Sequence, residues 1–150
     1  MDKSPRILVV DDDDTIRTTM KAILQDEGYT VDLASTGKEA IQKSQENNYN
    51  IALLDIRLPD MEGVELLKLL KDGVPRTRKI MVTGYPSLQN AISALNKNAD
   101  AYLLKPVDVE KLLNTVKQQL EAQENERKFS EQKVAEFIES RVKELSPNSF

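Results

Sequence analysis

The sequence predicts an α/β fold of the doubly wound (βα)₅ type: five parallel strands, each followed by a helix, with the fifth helix extended past the domain. Two observations lead there. Five short apolar runs occur up to Leu104, and the segments between them carry apolar residues every three or four positions. Nearly continuous apolar strands separated by helices pack as a parallel sheet covered on both faces. At 150 residues and 39% hydrophobic, the chain suffices for one compact domain plus an appendage.

The first run is Arg6 to Val10, followed by Asp11 to Asp14 and a helix whose apolar stripe is Ile16, Met20, Ile23 and Leu24, stopped at Gly28. The second run is Thr30 to Ala34, after which Thr36-Gly37-Lys38-Glu39 reads as a capping box. The third, Ile51 to Leu54, leads to a helix with Val64, Leu67 and Leu70 on one face. The fourth, Ile80 to Val82, precedes an N-cap at Ser87 and the stripe Leu88, Ala91, Ile92 and Leu95. The fifth, Ala101 to Leu104, precedes an N-cap at Asp108 and a core face of Val109, Leu112, Leu113, Val116 and Leu120.

No Gly or Pro interrupts this last helix before Pro147. Residues 1–120 are therefore assigned to the domain and 121–150 to a helical extension. Glu121 to Lys133 is polar apart from Ala122 and Phe129; then Val134, Phe137, Ile138, Val142 and Leu145 form a second stripe. Burying each of those side chains would contribute about 1.5–3 kcal/mol, which favours a dimer seam or docking helix over a solvated linker.

Composition excludes several functions. The net charge is -4 with no basic block, so direct DNA binding by this chain is not expected. Without cysteine there are no disulfides or thiolate sites, and without histidine the commonest general base and metal ligand are missing. No apolar run is long enough for a membrane span or signal peptide, which makes a cytoplasmic protein the default expectation.

In open parallel sheets, ligands bind beyond the carboxyl ends of the strands. Asp11 to Asp14 stand there after the first strand, Asp55 after the third, Thr83 after the fourth and Lys105 after the fifth. Helix capping accounts for Asp13 or Asp14. It does not account for Asp11, Asp12 and Asp55, since carboxylates about 5 Å apart repel by roughly 3 kcal/mol per pair at an effective dielectric near 20. A cap returns only about 1 kcal/mol. A hard divalent cation resolves the conflict, and Mg²⁺ commonly joins one or two carboxylates to a phosphate oxygen. Asp55 then becomes a nucleophile that accepts a phosphoryl group, with Lys105 pairing to one phosphate oxygen and the Thr83 hydroxyl donating to another.

The runs Ile7-Leu8-Val9-Val10-Asp11-Asp12-Asp13, Leu53-Leu54-Asp55 with Pro59 to Gly63, Val82-Thr83-Gly84-Tyr85 and Tyr102-Leu103-Leu104-Lys105-Pro106 together resemble the receiver domain of two-component response regulators. The resemblance covers about residues 5–120 and implies the flavodoxin-like receiver fold. It implies Asp55 as phosphoacceptor from a histidine kinase or phosphotransfer protein. Asp12, Asp55 and the backbone carbonyl of Arg57 become direct Mg²⁺ ligands, with Asp11 acting through water. Thr83 and Tyr102 become switch residues that remodel the face between the fourth and fifth helices, through which the output, a homodimer included, would be made. Lys105–Pro106 is a cis-peptide candidate, and Arg57 and Tyr85 occupy positions that tune dephosphorylation. Their bulk here implies slow self-hydrolysis. Such a domain is no enzyme beyond its own phosphorylation and dephosphorylation.

A rival reading takes Asp11-x-Asp13-x-Thr15 as the first motif of haloacid-dehalogenase-like phosphatases, with Asp11 as nucleophile and Asp13 as acid-base. It leaves Asp55 and Pro59 to Gly63 without a role. A plain binding domain is disfavoured because no GxGxxG or GxxxxGK loop is present.

Overall fold

The computed structural model describes residues 4–73, 75–84 and 99–145. Its strands are β1 (Arg6–Val10), β2 (Thr30–Ala34), β3 (Ile51–Asp55), β4 (Arg78–Thr83) and β5 (Ala101–Leu104), and its helices are α1 (Asp14–Asp26), α2 (Gly37–Glu46), α3 (Gly63–Leu69) and α4 (Val109–Leu145). The predicted helix of Leu88, Ala91, Ile92 and Leu95, with its cap Ser87, lies outside the described residues, so α4 is the fifth helix of the sequence reading.

All strand pairs are parallel, in the order β2-β1-β3-β4-β5. The chain winds outward to β2, returns past β1, and proceeds the other way from β3, so the switch of direction lies between β1 and β3. The alternation of side chains along a strand divides the core into two layers. Leu8, Val10, Leu54 and Met81 face Ala40 of α2 and Leu66 and Leu67 of α3. Ile7, Val9, Leu53 and Ile80 face Met20 and Leu24 of α1 and Leu112 and Val116 of α4. Both faces are covered, which is why the strands read as continuous apolar runs.

Local chemistry fixes the element ends. Asp13 caps α1, its carboxylate accepting from Ile16 N at 3.1 Å. Gly28 takes φ +94° after α1, a conformation that side chains disfavour. Thr36 accepts from Glu39 N at 3.1 Å, but Glu39 returns to Ser35 N at 2.7 Å, one residue earlier than an ordinary capping box. Asp108 accepts from Lys111 N at 3.3 Å at the start of α4. Helix α3 ends at Leu69, and its buried residues include Leu66, which the predicted stripe of Val64, Leu67 and Leu70 omitted.

Thirty-seven residues of α4 span about 55 Å, longer than the sheet is tall. Among the described residues no helix is long and apolar enough to cross a membrane. The polar segment after Leu120 is still docked at its start. Gln123 is 4% exposed; its side-chain oxygen accepts from Asn50 Nδ2 at 2.9 Å, and its amide donates to the carbonyls of Arg76 (2.8 Å) and Asn50 (3.1 Å). Arg78 Nε donates to Gln119 at 2.9 Å, and Arg78 Nη1 lies 3.5 Å from Glu126. Farther on, Val134, Phe137, Ile138, Val142 and Leu145 are all exposed.

Replacing Gln123 with Leu strands the Arg76 carbonyl and the Asn50 side-chain amide at the foot of the sheet, while the Asn50 carbonyl keeps the N–H of Arg78. Urea denaturation should show a loss of about 1–3 kcal/mol, whereas Gln132→Leu, on the exposed part of the same helix, should change stability by less than about 0.5 kcal/mol.

Candidate functional site

Strands β1, β3, β4 and β5 bring their carboxyl ends to one edge, and the residues there are held before any ligand arrives. Asp11 donates its backbone N–H to Ala34 O at 3.1 Å, and its Oδ1 accepts from Asp13 N at 2.9 Å, which fixes the carboxylate rotamer. Arg17 Nη1 donates to the Asp11 carbonyl at 2.7 Å. Asp55 is the last residue of β3, and its Oδ1 accepts from Arg57 N at 3.4 Å. Asp11 and Asp55 are buried and Asp12 is exposed, yet one carboxylate oxygen from each lies within 4.8 Å of the others.

Lys105 reaches into this cluster from just beyond β5. Its Nζ is 2.7 Å from Asp11 Oδ2 and 3.4 Å from Asp55 Oδ2. Burial, and then the Asp11 charge, push the Asp55 carboxyl above the usual carboxylate range in spite of Lys105. Burial alone would pull the Lys105 ammonium down, but its hydrogen bond to Asp11 and the Asp55 charge hold it above the ordinary lysine value. Lys105 therefore stays charged. Three carboxylates and one ammonium leave a formal charge of -3 + 1 = -2 in a site of hard oxygen donors, a donor set that fits a divalent cation of the Mg²⁺ class.

Thr83 ends β4 and is fully buried; its carbonyl accepts from Lys105 N at 2.7 Å, which ties the ends of β4 and β5 together. The Lys105–Pro106 peptide is cis. Tyr102 lies in β5 with 45% of its surface exposed. Tyr85 lies outside the described residues.

The loop from β3 to α3 is anchored by two residues of the Pro59 to Gly63 run. Asp60 accepts from Gly37 N and Lys38 N, both at 2.9 Å, so a carboxylate from one loop caps the N-terminus of α2, 22 and 23 residues earlier in the chain. Those two N–H bonds hold the Asp60 carboxyl below its ordinary value. Gly63 N donates to Ile56 O at 2.6 Å, and a β-carbon at Gly63 would overlap the carbonyl oxygen of Asp55. The Pro59 to Gly63 run was visible as a motif. The partner of Asp60 was not, because the contact is tertiary.

The phosphatase reading fails here. Asp13, its acid-base, is exposed and engaged as the cap of α1, while the residue beside Asp11 and Lys105 is Asp55, to which that reading gives no role.

Comparison with known proteins agrees. The sequence pattern of the response regulator receiver domain matches residues 7–117. The transcriptional regulatory protein ZraR of Klebsiella oxytoca is 40% identical over 114 residues, 76% of this chain and 26% of that protein. SrrA of Staphylococcus aureus, also a transcriptional regulatory protein, is 36% identical over 76% of this chain and 47% of its own length. The chain thus spans a quarter to a half of these relatives. A CheY-like response regulator receiver domain protein from Methanospirillum hungatei superposes with a TM-score of 0.76 at 48% identity, covering 83% of this chain and 99% of that one. A carboxylate cluster with one lysine at the edge of a five-stranded parallel sheet, and this agreement along nearly the whole domain, place the chain in the response regulator receiver domain family of two-component systems.

Proposed function

We propose that Asp55 accepts a phosphoryl group from a histidine kinase or phosphotransfer protein and that the resulting change of surface is read by a protein partner. The observation that carries this reading is the buried pair Asp11 and Asp55, bridged by Lys105 and joined by Asp12, with two negative charges left uncompensated. Asp12, Asp55 and the Arg57 carbonyl would hold Mg²⁺ directly, and Asp11 would act through water. When bound, the ion supplies positive charge to the phosphoryl oxygens as they transfer.

An Asp55 carboxylate oxygen attacks phosphorus as the bond to the donor imidazole nitrogen breaks, and the electron pair of that bond stays with the nitrogen. The product is an acyl phosphate on Asp55. Lys105 keeps its bond to Asp11 and exchanges Asp55 for a phosphoryl oxygen. The Thr83 hydroxyl donates to another, drawing the end of β4 inward, and Tyr102 turns from its exposed position into the space vacated. The affected surface lies between the predicted fourth helix and α4. By their place in the receiver motif, Arg57 and Tyr85 would tune dephosphorylation, and their bulk favours a long-lived acyl phosphate. A groove of about 470 Å³ lined by Ile16, Met20, Ile23, Pro106 and Val107 opens beside Lys105 and suits an apolar helix face of the donor.

The net charge of -4 gives this chain no electrostatic footprint for DNA. In relatives named as transcriptional regulators, this chain matches only the receiver portion. We place the exchange in the cytoplasm.

Intact mass after exposure to acetyl phosphate should show a Mg²⁺-dependent gain of one phosphoryl group, absent in Asp55→Asn. Lys105→Met should slow the gain by about 10²-fold. Persistent uptake by Asp55→Asn, with loss in Asp11→Asn, would sink this assignment.

Because the folded pKa of Asp55 lies above its unfolded value, the stability this group contributes is full below the unfolded pKa. It is lost as pH rises through the folded one. Metal-free Asp55→Asn should therefore melt above wild type at pH 7, with the difference shrinking towards pH 4. Mg²⁺ at ten times its Kd should stabilise wild type by about 1.4 kcal/mol, a shift of several degrees, and the variant by less. A wild-type melting temperature indifferent to Mg²⁺ would contradict the metal assignment.

A further inference from the structure

The face of α4 that lies against the sheet through Val116, Leu120 and Gln123 does not end with the domain. After one extra step of four from Gln123 to Arg127, it runs through Arg127, Glu131, Val134, Ile138, Arg141 and Leu145 at alternating intervals of four and three residues, the spacing of a two-stranded coil seam. Val134 and Ile138 are more than half exposed and Leu145 is 83% exposed, while Phe137 and Val142 flank the seam in the same state. A specific interface needs about 1,000 Å² of buried surface in all, which calls for the whole length from Arg127 to Leu145 on both copies rather than the apolar residues alone.

The charges in the seam decide the orientation. A parallel, in-register pair would set Arg127, Glu131 and Arg141 each against its own copy, placing like charges in half the layers. An antiparallel pair with its twofold axis at residue 136 sets Glu131 against Arg141 of the second copy, Val134 against Ile138, and Arg127 against Leu145, with no like charges opposed. It also brings Leu145 of the second copy to the foot of the first domain. There a groove of about 480 Å³ opens, lined by Gly73, Pro75 and the side-chain stems of Arg76, Glu126, Arg127, Ser130 and Glu131.

We propose that this chain forms an antiparallel homodimer through residues 127–145 of α4, with Glu131–Arg141 pairs on either side of a Val134–Ile138 centre. The proposal stands apart from the phosphoryl chemistry at Asp55, and its occupant is a second copy of this chain. Glu131 already pairs with Arg127 within its own helix, and Arg141 with Glu144. Each single reversal loses its own within-helix pair and the double reversal loses both, so recovery in the double variant cannot come from within one helix and reports the contact between copies.

Sedimentation equilibrium of the full chain should show a dimer. Glu131→Arg and Arg141→Glu should each weaken it about tenfold or more, and the double reversal should return to within about threefold of wild type. Monomeric wild type at high micromolar concentration, indifferent single variants, or a double variant no better than the singles would overturn the proposal. The chain has no cysteine, so introduced thiols report geometry directly. A mixture of Val134→Cys and Ile138→Cys chains should form the mixed disulfide, and neither chain should cross-link with itself. Self-cross-linking of either would establish the parallel arrangement and overturn the antiparallel one.

Discussion

Crowding Asp11, Asp12 and Asp55 at one sheet edge, with Lys105 as the ammonium that bridges the two buried carboxylates, is the condition on which the rest of the domain's construction depends. Like charges at this separation repel by a few kcal/mol per pair even at a fairly high effective dielectric, so they remain together only if the backbone leaves no alternative. The parallel ladder supplies that rigidity: β1 and β3 are central neighbours, and each carries its carboxylate at or just past its last paired residue. Lys105 is positioned equally firmly by the bond from its N–H to the Thr83 carbonyl. The loop beyond Asp55 is held from the far side, by Asp60 on the start of α2 and by Gly63 beneath the Asp55 carbonyl.

This arrangement explains which parts of the molecule were legible in the sequence. Each of the five strands fell within a residue or two of its predicted position, because a strand buried on both faces has almost no freedom in composition: β3 is Ile-Ala-Leu-Leu-Asp with every residue buried. The edge residues were legible because a charged side chain directly after such a run has no reason to be there except chemistry or capping. Asp13 illustrates the capping case, and Asp11 and Asp55 the other.

What escaped was tertiary. Asp60 looks like any loop aspartate until α2 is placed beside it. Gln123 sits in a polar segment that reads as solvated, yet it is among the few buried polar side chains, because the Arg76 carbonyl before β4 and the side-chain amide of Asn50 find their partner in it. Leu66 was missed because a helix as short as α3 gives periodicity too few turns to identify its inward face.

The Gln123 clamp has a mechanical consequence. Everything in α4 up to that residue is fixed to the sheet, and the next 22 residues, about 33 Å of helix, lead away from the clamp as an arm that touches the domain only near its start, where Glu126 meets Arg76 and Arg78. With Gln123 as fulcrum, a tilt of about 10°, small enough to leave the strand ladder intact, carries the far end of that arm through about 6 Å, roughly one helical turn. Geometry alone thus gears an ångström-scale adjustment at the domain into a displacement large enough to shift one packing layer past another.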